Sequence, residues 1–190
     1  TGGDRLGHQE TDGDAYAIAV DHQTRTVLGP YRVGFNPITA DDNHGPPALT
    51  IDGEGYIHVF FGSHNSRFQY ARSAEAYDIS AWVHPPTGEA GSGRLPGPRG
   101  TYPSPAYNPG DGAVYVVYRG GVGGHNDHVY ATLLRSADGV LWEQYPANPV
   151  LQDGVGTAFD AEFVDHPSVI PDDGIFRMWY AGYDGSLLRI

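Results

Sequence analysis

Hydrophobic and polar positions alternate along this chain in short stretches broken by Gly and Asp, and three stretches share one frame. Residues 47–62 read PALTIDGEGYIHVFFG, residues 105–120 PAYNPGDGAVYVVYRG and residues 167–182 PSVIPDDGIFRMWYAG. Each holds a short strand, a Gly/Asp turn and a second strand ending in aromatics, which is the pattern of a β-hairpin. In the first copy the predicted strands are Pro47–Ile51 and Tyr56–Phe61, joined by the turn Asp52-Gly53-Glu54-Gly55. Gly55, Gly112 and Gly174 mark equivalent turn ends, 57 and 62 residues apart. A weaker copy, Asp12-Gly13 followed by Asp14–Asp21, precedes them. Further strands are predicted between the copies, at Phe68–Ser73, Ala76–Trp82, Val129–Ser136 and Val140–Gln144.

Repeated hairpins with strands between them predict an all-β fold, a β-propeller of four-stranded antiparallel blades. The spacing exceeds the about 40–50 residues common for propeller blades, and loop insertions account for the excess. Three clear blades and one partial blade fit the length, whereas a closed ring takes about 4–8. The expectation is therefore a partial ring, with residues 1–190 a single propeller domain or a fragment of a larger propeller. The run Ser136-Ala137-Asp138-Gly139-Val140-Leu141-Trp142 resembles the Asp-box turn of sialidase-type propellers, one residue short. Its Asp and Gly suit a turn, and its Trp suits packing between blades. Residues 84–100 form one long Pro/Gly-rich connection, read as an inter-blade loop able to wall a cleft.

Composition narrows the partners. The 190 residues carry 27 Gly, 15 Pro and 13 Tyr, too aromatic for a disordered chain. A net charge of −12 argues against sequence-independent nucleic-acid binding, which needs a basic surface. No run of about 18 apolar residues marks a transmembrane helix, so no membrane partner is expected. With no Cys there is neither a disulfide nor thiolate chemistry. No signal peptide is visible, and the expected location is nonetheless secreted or periplasmic. The oligomeric state stays open.

Candidate chemistry gathers at the open ends of the hairpins. His44 and His64 are each about ten residues from the first turn centre, so antiparallel pairing predicts that they meet. In the second copy Tyr102 and Arg119 are nearly equidistant from the turn Asn108–Gly112. Successive blades present equivalent ends on one face, so these four side chains are predicted to border one groove. Two imidazoles, a phenol and a guanidinium without a central carboxylate pair suit β-elimination of a uronic acid. Arg119 would neutralise the sugar carboxylate, and His or Tyr would move the protons. Asn43 and Asn65, beside the two histidines, and His125 are candidate substrate-binding residues. The chemistry requires no cofactor. No metal site is assigned: the pair lacks a specified third ligand, and His125-Asn126-Asp127-His128 matches no strong zinc spacing, although a structural ion is compatible.

A family resemblance adds to this reading. The run Asp41-Asp42-Asn43-His44-Gly45-Pro46-Pro47-Ala48-Leu49, Gly55-Tyr56-Ile57-His58-Val59, Gly62-Ser63-His64-Asn65, Thr101-Tyr102-Pro103 and Tyr118-Arg119-Gly120 resemble the BNR-repeat propellers that include ulvan lyases. The resemblance covers roughly residues 10–145. It implies a polysaccharide lyase acting on an acidic, uronate-containing and sulfated chain. It also implies His44 and His64 as acid/base groups, Tyr102 as a further proton-transfer group and Arg119 as carboxylate neutraliser. Residues 146–190 look more like five-bladed glycoside hydrolases, for which Asp42, Asp160 and Glu162 are the candidate carboxylates. A non-catalytic carbohydrate-binding propeller is the third reading. His58, inside its strand, and His166 with Asp160 and Glu162 are read first as hydrogen-bonding residues of the scaffold.

Overall fold

Among the described residues thirteen strands follow one another as antiparallel meanders, with no helix. The computed structural model describes residues 13–38, 42, 44–84, 95–96, 99–120 and 130–190. Sheet one pairs β1 (Ala15–Val20) with β2 (Val27–Gly34). Sheet two runs in order β3 (Ala48–Ile51), β4 (Ile57–Phe61), β5 (Gln69–Ser73) and β6 (Trp82–Val83). Sheet three repeats that order with β7 (Gly100–Asn108), β8 (Ala113–Gly120), β9 (Tyr130–Ser136) and β10 (Glu143–Gln144). Sheet four contains β11 (Phe163–Asp172), β12 (Ile175–Tyr183) and β13 (Leu188–Arg189). The first strands of sheets two, three and four are neighbours, β7 touching both β3 and β11. This is a β-propeller of four-stranded blades, open as a partial ring.

The turn chemistry explains the hairpins. Asp52 Oδ1 accepts hydrogen bonds from the amides of Glu54 (3.0 Å) and Tyr56 (2.9 Å), and Gly55 closes the turn at φ +90°. The register that results pairs Ala48 with Phe60 and Thr50 with His58.

Burial follows from stacking sheets against one another. All five residues of β4 are buried because the strand has a neighbour on each face. Ile57, Val59 and Phe61 pack with Ala15 and Val33 of sheet one. Phe60 points the other way and joins Tyr70, Val114, Val116, Tyr118 and Leu134 between sheets two and three. Trp142, after the turn at 136–141, meets Phe60 and Tyr70 edge-on at centroid distances of 5.4 and 5.2 Å. A third cluster, Ala106, Val117, Ala131 and Val169, joins sheets three and four. His58 is buried with both ring nitrogens engaged, Nδ1 to the Tyr70 hydroxyl at 2.7 Å and Nε2 to Asp52 at 3.0 Å. Burial lowers the pKa of His58 while Asp52 opposes it, and the histidine is part of the scaffold.

Several elements differ from the sequence reading. Strand β2 was not anticipated, because Gly29-Pro30 interrupts its apolar pattern. Residues 76–80 form turns rather than strand, since Asp78 captures the amide and hydroxyl of Ser80. Val140 and Leu141 donate their amides to Asp138 Oδ1, which confines β10 to Glu143 and Gln144. The proposed wall at 84–100 lies mostly outside the described residues.

Candidate active site

The site forms where the blade hairpins stop pairing. Gly62 donates to the Gly45 carbonyl at 3.3 Å, and beyond that link His44 and His64 come together. Their rings stack at a centroid distance of 3.8 Å and an interplanar angle of 13°. Asp42 holds both, accepting from His44 Nδ1 at 2.6 Å through one oxygen and from His64 Nδ1 at 2.5 Å through the other. The His44 amide adds a third bond to Asp42 at 2.9 Å. Burial raises the Asp42 carboxyl, but the hydrogen bonds from His64 and His44 outweigh it and hold its pKa down to about 2. An ionised carboxylate on each Nδ1 selects the tautomer with the proton there and leaves each Nε2 as an acceptor.

Sheets three and four each contribute a ring through the same backbone device. In β7 the register with β8 jumps between Thr101 and Ser104, and in β11 the register with β12 jumps between Asp165 and Ser168. Tyr102 and His166 occupy these bulges with left-handed φ values of 56° and 46°. Such bulges re-aim side chains, and each strained residue costs about 1–3 kcal/mol. Tyr102 and His166 stack at 3.8 Å and 24°, and Tyr102 lies 5.8 Å from His44. His64, His44, Tyr102 and His166 thus form a row of four rings across three sheets.

Arg119 supports the row. Its Cζ lies over the Tyr102 ring at 4.9 Å. Its Nη1 donates to both oxygens of Asp165 at 3.3 and 3.4 Å, and Nη2 donates to Thr101 Oγ1 at 3.3 Å. A guanidinium has five N–H donors, more than these contacts occupy. Burial and the Asp165 carboxylate raise the Tyr102 phenol above its ordinary value; Arg119 opposes this and Asp42 adds to it. The upward shift makes the Tyr102 phenol hold its proton more tightly.

The remaining predicted residues scatter. Asn65 is exposed at φ 50° and donates its amide to Thr101 Oγ1 at 3.1 Å. Asn43 and His125 lie outside the described residues. The hydrolase carboxylates Asp160 and Glu162 do not lie on a strand: residues 159–162 are turns and bends ahead of β11. Asp160 is buried and accepts from the Tyr180 hydroxyl at 2.9 Å, whereas Glu162 is exposed. Asp42, the third candidate carboxylate, is committed to the two histidines.

Asp42, His44 and His64 offer ligand atoms within 4.8 Å of one another, a donor set compatible with a transition metal. Both Nδ1 atoms are engaged with the Asp42 carboxylate. The arrangement is a hydrogen-bonded triad. A cleft of about 440 Å³ adjoins it, lined by Asp42, Gly45, Pro46 and Pro47 and by Asp14 and Tyr16 near sheet one.

Three contributors escaped the sequence reading: Asp42 as the anchor of both imidazoles, Asp165 as the partner of Arg119, and His166 as part of the row. A signal for the last was present. Tyr102-Pro103-Ser104, just ahead of one repeat, and His166-Pro167-Ser168, running into another, are both ring-Pro-Ser triplets.

The sequence of repeats decides the family. The profile of BNR repeat-containing family members matches residues 11–181. The chain belongs to the BNR repeat-containing family. The match continues well past residue 145, through most of the segment that looked hydrolase-like. Among curated relatives, an ulvan lyase named Ulvan Lyase-PL25 from Pseudoalteromonas sp. (strain PLSV) is 33% identical over 98 residues, 40% of this chain and 20% of that protein. An ulvan lyase from Nonlabens ulvanivorans is 33% identical over 91 residues, 36% of this chain and 19% of that protein. The matched region thus spans about a fifth of these relatives. Among solved structures, a PL25 ulvan lyase bound to -[GlcA(1-4)Rha3S]- aligns with TM-score 0.60 at 24% identity, covering 90% of this chain and 42% of that one. The polysaccharide lyase Uly1 aligns with TM-score 0.55 at 14% identity over 85% of this chain and 42% of that one. These structures share the fold.

Proposed function

We propose that the groove performs β-elimination on an acidic, uronate-containing polysaccharide, the reaction of a polysaccharide lyase. The observation that carries the reading is the Asp42-anchored His44–His64 stack set beside Tyr102 and Arg119. The reported ulvan lyase relatives support the substrate class.

The steps balance as follows. The Nε2 of one histidine accepts the proton at C5 of the uronate, the C–H pair becomes the C4=C5 double bond, and the C4–O4 bond breaks. The departing O4 takes the proton of the Tyr102 phenol. Charge builds on the uronate carboxylate as C5 is deprotonated, and Arg119 donates to it. That stabilisation is the largest single contribution, because preorganised donors act where charge develops. No step in this scheme calls for a metal or cofactor. Extracellular or periplasmic action fits a polymeric substrate.

The experiment is incubation with glucuronate–rhamnose 3-sulfate polymer and with other polyuronates, following ultraviolet absorbance of the conjugated product beside release of reducing ends. Unsaturated product is expected. Reducing ends without unsaturation would convert the reading to hydrolysis, and binding without turnover would leave a carbohydrate-binding propeller.

A further inference from the structure

Two of the chain's three tryptophans wedge between neighbouring sheets. Trp82, whose Nε1 donates to the Ile79 carbonyl at 2.9 Å, packs against the cluster joining sheets one and two. Trp142 enters between sheets two and three, on Phe60 and Tyr70. The corresponding place between sheets three and four is open. Leu133 pairs with Val117 in sheet three as Tyr70 pairs with Phe60 in sheet two, and Val117 and Leu133 wall a cavity of about 510 Å³. Small-ligand sites commonly measure about 300–1,000 Å³. The third tryptophan, Trp179, does not fill it. Met178 lines the cavity, and strand alternation sends Trp179 to the opposite face of β12.

The wall suits an aromatic guest. Tyr115, Tyr145 and Phe176 present rings, the first and last 4.6 Å apart between centroids. Arg135 is turned to the Tyr115 hydroxyl, to which its Nε donates at 3.1 Å. Glu143, also in the wall, offers a carboxylate that can accept from an indole N–H. We propose that this cavity is a docking site for a tryptophan side chain carried on a turn of a partner polypeptide, built like residues 138–142 of this chain. The indole is the chemistry that occupies the two preceding gaps, and rings in the wall favour edge-to-face packing with it, as Phe60 and Tyr70 do with Trp142. None of the groove side chains described above lines this cavity, so its occupancy is independent of the elimination chemistry.

Met178 is the chain's single methionine, so protein labelled with methyl-13C-methionine carries one methyl reporter, set in the cavity wall. Indole, N-acetyltryptophanamide and a peptide with the sequence of residues 136–142 are titrated against it by NMR, with cyclohexanol as a non-aromatic control. All three indole-bearing probes should move the Met178 resonance to saturation, indole with a Kd of about 1 mM and the other two within about fivefold of it. Tyr145→Ala, at a wall residue 47% exposed, should weaken indole about fivefold. Leu133→Trp, which fills the cavity from its own wall, should abolish the shift while keeping the parental circular-dichroism spectrum. If Leu133→Trp does not fold, Tyr145→Ala still decides. No saturable shift with indole at about twenty times that Kd would overturn the proposal, as would a parental Kd in Tyr145→Ala. Binding of indole without the amide or the peptide would overturn it too, leaving a site for free aromatic compounds. Cyclohexanol binding as tightly as indole would do the same, leaving an unselective void.

Discussion

Asp42 is the residue on which the geometry turns, because one carboxylate sets the ring orientation and tautomer of two histidines. Asp42→Asn puts an amide against two Nδ1 positions and can accept through only one of its two side-chain atoms. Turnover should fall about 100-fold while KM changes little, since a misplaced tautomer removes the base and not the binding surface. A circular-dichroism spectrum matching the parent would show that the sheets survive. The carboxylate also predicts a pH dependence. Its folded pKa, about 2, lies below the ordinary value of 3.8, so it contributes stability above about pH 4 and loses that contribution as pH falls through about 2. The melting-temperature gap between parent and Asp42→Asn should be constant above about pH 5 and close between about pH 4 and 2. A gap that persists at low pH would contradict the linkage. Arg119→Ala removes the donor at the point of developing charge and should cost about 100-fold in kcat, measured with the unsaturated product. Near-parental kcat would take Arg119 out of the mechanism.

At the scale of elements, the sheets are held in order by side chains crossing the gaps between them. Trp142 is the clearest case: it leaves sheet three after β9 and inserts against Phe60 and Tyr70 of sheet two. Trp142→Ala should destabilise the fold by about 3 kcal/mol, read from chemical denaturation. A loss below about 1 kcal/mol would mean that the neighbouring sheets collapse onto the space. Gly139 makes the same junction from the backbone. It sits at φ +68°, and an added Cβ would meet His58 Cε1 at 2.7 Å and the Tyr70 hydroxyl at 2.8 Å. The hairpins themselves were legible, because Asp-Gly turns and apolar runs are local signals. The short outer strands β6, β10 and β13 were harder, since two-residue pairings depend on the neighbouring strand rather than on their own pattern.

The chain carries a net charge of −12, and the proposed polyanionic substrate would approach against it. Mutual repulsion is screened over about 10 Å at 0.1 M salt. Turnover of an acidic polysaccharide at low substrate concentration should therefore rise as salt is added from about 10 to 100 mM. A steep fall across that range would show that a locally basic surface governs encounter.

Repeat frame, turn positions and strand type follow from the chain alone, because backbone pairing and side-chain alternation are written in neighbouring residues. The meeting of His44 with His64 was legible too, since a hairpin places residues equidistant from its turn together. Which carboxylates would join them was not. Asp42 precedes its hairpin, and Asp165 reaches Arg119 from the next sheet, 46 residues along the chain. Contacts between sheets depend on how bulged strands lie side by side, and that arrangement arises only once the interfaces between blades have packed.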